Sequence, residues 1–444
     1  STAQSRCREA LVGTRSVVDS KRRGGSMEPL AHQLEYLSDR WLSIASETLT
    51  ALTQQADDLP AFVISESLTN APSHLGWPDN VASWSARFDG QGIVVDRTFV
   101  PTADWSRQGA YQAALIAGQT IGMNVPEVAA FALRETNHWF GDAAVSETWR
   151  ESDESLVRLI GNFRDHMARR TVENPDIAHR VTALGMTRHI KELFDQGYTV
   201  VERAISPEFA DALREETVRA VRSHQNPSRS LNGLLYHGLV FERLVQNPQL
   251  MTLIDASLGR GAVIASISAL CKGPGKGVIP LHTDYAQVPE PYPDYSMTGV
   301  GVWALEDWTV ASGPTWIIPG SHRLKRGPKP GENPPPGVAI EMPKGSVVYF
   351  HQGVWHWQGD RELPGERVSI HAHFNRGILR SLEPKRIDVQ MLHRNSPRLG
   401  EMLGEDDWFD KLSADGRDYK RLEHMIRLNR FNDEGVAAIL AGAA

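Results

Sequence analysis

His282, Thr283 and Asp284, followed by His356 and then Arg367, are the residues of this chain whose types and spacing speak most directly of chemistry. Ferrous iron accepts imidazole and carboxylate ligands together, and three such ligands on one face leave the other open for oxygen and an organic acid. In an H-x-D triplet on an extended strand, residues one and three project to the same side, so His282 and Asp284 can reach one ion while Thr283 points away. The third ligand has to come from elsewhere, and residues 345–357 offer His351 and His356. His356 is preferred, because Arg367 follows it by eleven residues (367 − 356), at the start of Arg-Val-Ser-Ile-His-Ala-His-Phe, which alternates like a strand. A guanidinium presents a planar fork to a carboxylate, which suits it to hold the far end of a dicarboxylic acid whose near end chelates the metal. Fe(II) is thereby implied as the metal, with 2-oxoglutarate and O2 as co-substrates.

Around these residues the stretch from about Thr187 to Arg380 resembles the phytanoyl-CoA dioxygenase family of Fe(II)/2-oxoglutarate oxygenases. The run His189-Ile-Lys-Glu-Leu-Phe-Asp-Gln-Gly-Tyr-Thr-Val-Val and then Ile205-Ser-Pro-Glu-Phe resembles that family's entry helix, first strand and second helix. Trp303-Ala-Leu-Glu-Asp and Gly313-Pro-Thr-Trp-Ile-Ile-Pro-Gly-Ser-His322 follow the H-x-D in the family's order, and the eleven-residue step from distal histidine to arginine also matches. The resemblance implies an α+β chain whose catalytic core is a double-stranded β-helix, a jelly-roll of cupin-like form enclosing a site between two sheets. It implies His282, Asp284 and His356 as metal ligands and Arg367 as the 2-oxoglutarate anchor. It further places Trp303 and Gln358 beside the co-substrate. Ascorbate is expected to stimulate turnover in vitro.

Asp284 bears on the type of reaction. Relatives that halogenate carry Gly or Ala there, so hydroxylation with decarboxylation of 2-oxoglutarate to succinate and CO2 is favoured. Desaturation, cyclisation and demethylation at the same metal stay open, as does a catalytically inert cupin-like binding protein. His351, His371 and His373 are the competing imidazoles. His371 and His373 share the parity of Arg367 and are expected to point the same way, as pocket walls or as core histidines. His322, within Pro-Gly-Ser-His, reads as part of a structural corner.

Composition narrows the class. The chain of 444 residues exceeds one typical domain, and 41% hydrophobic with 23% charged residues is ordinary for a globular protein. A net charge of −7 argues against nucleic acid as a partner, and no apolar run reaches the ~20 residues of a membrane span. Two cysteines, Cys7 and Cys271, are too few for a disulfide framework and fit a reducing, cytoplasmic setting. Trp303, Trp308, Trp316, Trp355 and Trp357 cluster around the motif, from which an apolar or aromatic small-molecule substrate is expected.

Along the chain, residues 1–26 are basic and read as a leader or remnant preceding Met27. Residues 27–185 are expected to form a mainly helical accessory domain. Leu30, Leu34, Leu37, Trp41, Ile44 and Leu52 recur at helical steps, with further helices over 111–123 and 125–138 and around Leu156 to Met167, and with Phe62-Val-Ile-Ser and Gly92-Ile-Val-Val-Asp between them as candidate short strands. Two roles fit such a domain, a cap over the active site and a surface for homo-oligomerisation. Residues 186–380 are the expected dioxygenase domain, and 381–444 a C-terminal helical extension with helices over 419–428 and 432–440.

Overall fold

The computed structural model describes residues 34–56, 58–123, 125–141, 144–150, 153–172, 177–224, 229–285, 287–383, 388–404, 412–413, 416–417 and 433–442. The expected leader over 1–26 and the expected helix over 419–428 lie outside them. The described residues fall into two compact units, one within 17–175 and 388–398, the other within 176–387 and 399–444. The expected 381–444 extension is therefore divided between the two, and a helix occupies 433–440.

The N-terminal unit departs from the mainly helical expectation. Strands β1 (Phe62–Thr69), β2 (Ala82–Phe88), β3 (Ile93–Asp96), β4 (Trp105–Ala110) and β5 (Val145–Trp149) form one sheet in the order β3-β2-β1-β4-β5. β1 and β4 run parallel; the other pairs are antiparallel. Helices α1 (Asp39–Thr53), α2 (Tyr111–Gly118), α3 (Pro126–Phe140) and α4 (Glu154–Ala168) complete the unit. α1 starts later than its apolar periodicity implies, because Leu37 has φ 57° and the Ser38 side chain caps the helix by accepting from the Trp41 amide.

Strands β4 and β5 escape sequence reading for a physical reason: inward positions of theirs carry charge, Arg107 on β4 and Glu147 on β5. Glu66 accepts from the Tyr36 hydroxyl (2.8 Å) and Trp84 Nε1 (2.7 Å), while Arg107 Nη2 and Arg164 Nη2 both lie 2.8 Å from Glu147 Oε1. Both guanidinium groups lie over the Trp105 ring, at 5.2 and 5.0 Å. Two acids and two bases thus pair inside an aromatic core that includes Trp41, Trp84 and Phe163, so the strands lack the usual apolar alternation.

The second unit is built from antiparallel sheets. Its strands are β6 (Tyr198–Val201), β7 (Ser230–Leu231), β8 (Val263–Lys272), β9 (Thr298–Ala304), β10 (Thr315–Ile317), β11 (Val338–Ala339), β12 (Val347–His351), β13 (His356–Gln358) and β14 (Arg367–Asn375). Six pair in the order β6-β12-β9-β14-β8-β7, and three in the order β11-β10-β13. Val300, Val302, Val348 and Phe350 of the larger sheet share one core with Ile317 and Ile340 from the smaller sheet's side. Helices α5 (Thr187–Gln196), α6 (Pro207–Ser223) and α7 (Pro248–Leu258) accompany them, α6 in contact with β8 and β14 and α7 with β9 and β12. α6 begins as its Ser-Pro pair dictates, with the Ser206 hydroxyl accepting from the Phe209 amide and Pro207 at the first helical position.

Candidate metal centre

His282 and Asp284 do not lie in a long strand. They sit on an extended segment joined to β13 and the residues before it by three backbone bonds: His282 N–H to His356 O and His356 N–H to His282 O, each 3.0 Å, and Asp284 N–H to Gln352 O, also 3.0 Å. Alternation within 282–284 then turns both side chains one way, and the direct pairing of His282 with His356 sets the two rings side by side, with centroids 4.2 Å apart.

One potential ligand atom from each of His282, Asp284 and His356 lies within 4.8 Å of the others. Asp284 Oδ1 is 3.2 Å from His282 Nε2, and Oδ2 is 3.6 Å from His356 Nε2. Each ring has its other nitrogen committed to a backbone carbonyl, His282 Nδ1 to Pro280 O at 2.8 Å and His356 Nδ1 to Val354 O at 3.0 Å. A carbonyl only accepts, so the proton belongs on Nδ1 and the Nε2 lone pair is left for a metal, the arrangement that orients ligating histidines. Asp284 is half-buried, and its partial desolvation opposes ionisation, yet His356, His282 and His373 together hold its carboxyl well below the usual range. Burial lowers the pKa of His356 despite the carboxylate beside it. For His282 burial acts the same way but is outweighed by the bond to Asp284, and its pKa rises. Two neutral-capable imidazoles and one committed carboxylate are a donor set that fits a divalent first-row metal.

Arg367 is 1% exposed, and its Nη1 donates to Gly313 O. Its guanidinium lies 4.4 Å from the Trp308 ring centroid, its Nε has no partner among the described residues, and no carboxylate there lies within ion-pair distance of it. Glu366 pairs instead with Arg229, and Glu306 with Arg361. Burial pushes the Arg367 pKa down to about 10. A buried cation without a counter-ion is costly unless a ligand supplies the anion. The turn that carries this carbonyl requires glycine: the φ of Gly313 is 73°, and a Cβ there would lie 3.0 Å from both Arg361 Cβ and Gly359 O.

The competing histidines separate by face. His351 shares the parity of Val347 and Tyr349, contacts Tyr285 Oη at 3.2 Å, accepts the Gly353 amide, and is pushed down to about 3 by burial. His371 and His373 lie on the face of Arg367; burial takes the His371 pKa to about 3 and lowers that of His373 too. His322 stacks near His351, with ring centroids 5.3 Å apart.

Two assignments from the sequence need correction. Trp303 pairs with Val347 and Ile370, not with the residues opposite Arg367 and His371, so it belongs to the face that carries α7 and is fully buried there. It does not reach the Arg367 face. Of the other tryptophans, Trp316 and Trp357 stack on each other 5.5 Å apart with parity opposite to His356, Trp355 Nε1 donates to Arg326 O, and Trp308 lies against Arg367. Gln358 has the parity of His356, but its Oε1 accepts the Val278 amide at 3.0 Å, which anchors the segment leading to His282. Lys272, overlooked in the sequence, is the cross-strand partner of Arg367 and 7% exposed. Only its register reveals it, since a lone lysine in Cys-Lys-Gly carries no signal.

Residues 194–359 match the family model described as phytanoyl-CoA dioxygenase (PhyH). Among curated proteins, Dioxygenase ALT11 of Alternaria alternata is 26% identical over 201 residues, covering 41% of this chain. The match spans 65% of that relative's length. Solved structures of HygX from Streptomyces hygroscopicus are also similar. The form with nickel and 2-oxoglutarate bound has 14% identity and a TM-score of 0.38, covering 46% of this chain and 93% of that one. The form with iron bound has 15% identity and a TM-score of 0.37 over the same shares. His282, Asp284 and His356 lie inside the matched segment, and Arg367 lies beyond its end. The likeness to the phytanoyl-CoA dioxygenase family thus spans residues 194–359 and takes in all three residues of the His-Asp-His cluster.

Proposed function

We propose that the chain is a non-haem Fe(II)/2-oxoglutarate-dependent dioxygenase that hydroxylates a small organic metabolite and converts 2-oxoglutarate to succinate and CO2. The observation that carries this reading is the convergence of His282, Asp284 and His356 in a unit that also buries Arg367 with no carboxylate partner among the described residues. The six- and three-stranded sheets are read as the two sides of a jelly-roll.

The three side chains would hold Fe(II), whose chemistry when bound is oxygen activation coupled to oxidation of the keto acid. The protein's own contribution is placement. Pro280 and Val354 fix the two imidazoles, the Gln352 carbonyl fixes the backbone of Asp284, and Gly313 with Trp308 fixes the guanidinium that receives the distal carboxylate of 2-oxoglutarate. Asp284 occupies a position that a halide would need, which favours hydroxylation over halogenation. Cys271 is free, buried and pushed up to about 11 by burial, an inert thiol that suits a reducing cytoplasm. No helix among the described residues is long and apolar enough to cross a membrane.

Purified protein with ferrous iron, ascorbate and 2-oxoglutarate is expected to form succinate, and His282→Ala or Asp284→Ala to abolish it. Full activity in those variants contradicts the assignment.

A further inference from the structure

The larger sheet carries a polar strip that runs on from Arg367 along the same face. Cross-strand partners lie on the same face, and along β8 and β14 these are Lys272 with Arg367, Leu270 with Ser369, Ser268 with His371, and Ser266 with His373. The opposite face of the same strands is apolar and closed, with Ile267, Ala269, Ile370 and Ala372 no more than 1% exposed. On the Arg367 face Ser268, His371 and His373 keep part of their surface open.

The hydrogen bonds along this strip are directional. Gln352 Nε2 donates to His373 Nδ1 at 2.7 Å, which leaves the His373 proton on Nε2. Gln352 is also the residue whose carbonyl holds the Asp284 amide, so His373 is tied to the metal centre through one side chain. Next to it the Ser266 hydroxyl donates to Glu383 Oε1, and His371 Nε2 lies 3.1 Å from Ser369 Oγ. Among the described residues the His373 Nε2–H and the Ser268 hydroxyl are the groups of this strip for which no protein partner is seen, and an apolar molecule laid over them would strand each at about 1–3 kcal/mol.

Reach assigns the strip to the substrate. His373 stands six residues along the strand from Arg367, about 20 Å at roughly 3.3 Å per residue. A five-carbon dicarboxylate with bonds of roughly 1.5 Å cannot extend that far from Arg367. We propose that the substrate oxidised here is a hydroxyl-rich molecule, of polyol or carbohydrate type, held by His373, His371 and Ser268. This inference rests on the iron and 2-oxoglutarate reading above and names the class of molecule that the same site accepts.

The test uses the full chain with Fe(II) and 2-oxoglutarate, and follows succinate formed above the level without added probe. Myo-inositol and methyl α-glucoside are compared with cyclohexene and indole. The two polyols are expected to raise succinate formation and the two apolar probes to leave it at the probe-free level. His373→Phe is expected to cut the ratio of stimulated to probe-free turnover roughly tenfold, the scale of one lost hydrogen bond in a closed site. His373→Asn, which keeps a donor, is expected to recover part of it. An equal response to both probe sets, a response to the apolar set alone, no response to the polyols, or a His373→Phe ratio like that of the native chain overturns the substrate class while leaving the oxygenase reading intact. Absence of any succinate from 2-oxoglutarate overturns the oxygenase reading and the substrate class with it.

Discussion

At the scale of single residues, the account turns on how few contacts Arg367 makes. Its guanidinium is buried over Trp308 and donates to one backbone carbonyl, so the remaining N–H groups are oriented and uncommitted. Arg367→Met is expected to weaken 2-oxoglutarate by about 1.5–3 kcal/mol, the range for hydrogen bonds to charged groups. That is roughly 10- to 150-fold in KM, and the steady-state dependence on 2-oxoglutarate measures it. Arg367→Lys is expected to recover only part, since an ammonium lacks the planar fork. Gly313→Ala tests the support of that arginine: the positive φ and the 3.0 Å approaches force the turn to shift, so KM for 2-oxoglutarate is expected to rise while iron affinity stays near the native value. His282, Asp284 and His356, which the structure brings together, could be singled out in the sequence because H-x-D and a distal histidine, with an arginine eleven residues on, form an ordered pattern. Trp303 was misassigned because order along a strand does not say which face a residue takes, and a step of one position moves a side chain to the other side of the sheet. Gln358 and Lys272 illustrate the same limit, as their roles come from a backbone amide at Val278 and from cross-strand register.

Among the elements, the N-terminal sheet shows what pattern reading loses when charge is buried. Helices α1, α3 and α4 were legible from their apolar stripes, and β1 and β3 from their β-branched runs. β4 and β5 were not, because Arg107 and Glu147 occupy inward positions where an apolar residue is expected. Glu147 is held at about 2, below the ordinary 4.5, because Arg164 and Arg107 outweigh the burial that opposes its charge. A carboxylate with a depressed folded-state pKa stabilises the fold above its unfolded value, and that contribution fades as pH falls from about 4.5 toward about 2. Glu147→Gln is therefore expected to destabilise the unit at neutral pH by about 3–5 kcal/mol, since it takes the paired carboxylate from the buried Arg164 and leaves Arg107 with Glu66 alone. Thermal melts between pH 7 and 3 check this. The gap between the native chain and the variant should narrow at the acid end; a gap that stays constant or widens contradicts the role given to Glu147.

For the whole molecule, the residues of the candidate chemistry all come from one of the two compact units, and the family match lies within that unit as well. The other unit supplies no member of the metal triad, and its role as cap or oligomerisation surface stays a proposal. What has to hold is that the complete chain binds one iron and one keto acid together. The most direct measurement is an anaerobic titration of the purified chain with Fe(II) and 2-oxoglutarate, followed through the visible charge-transfer band that an iron-chelated keto acid gives. The band is expected to form only when both are present, to saturate at one iron per chain, and to be lost in His282→Ala and His356→Ala. No band in the native chain, or an unchanged band in both variants, contradicts the site described here.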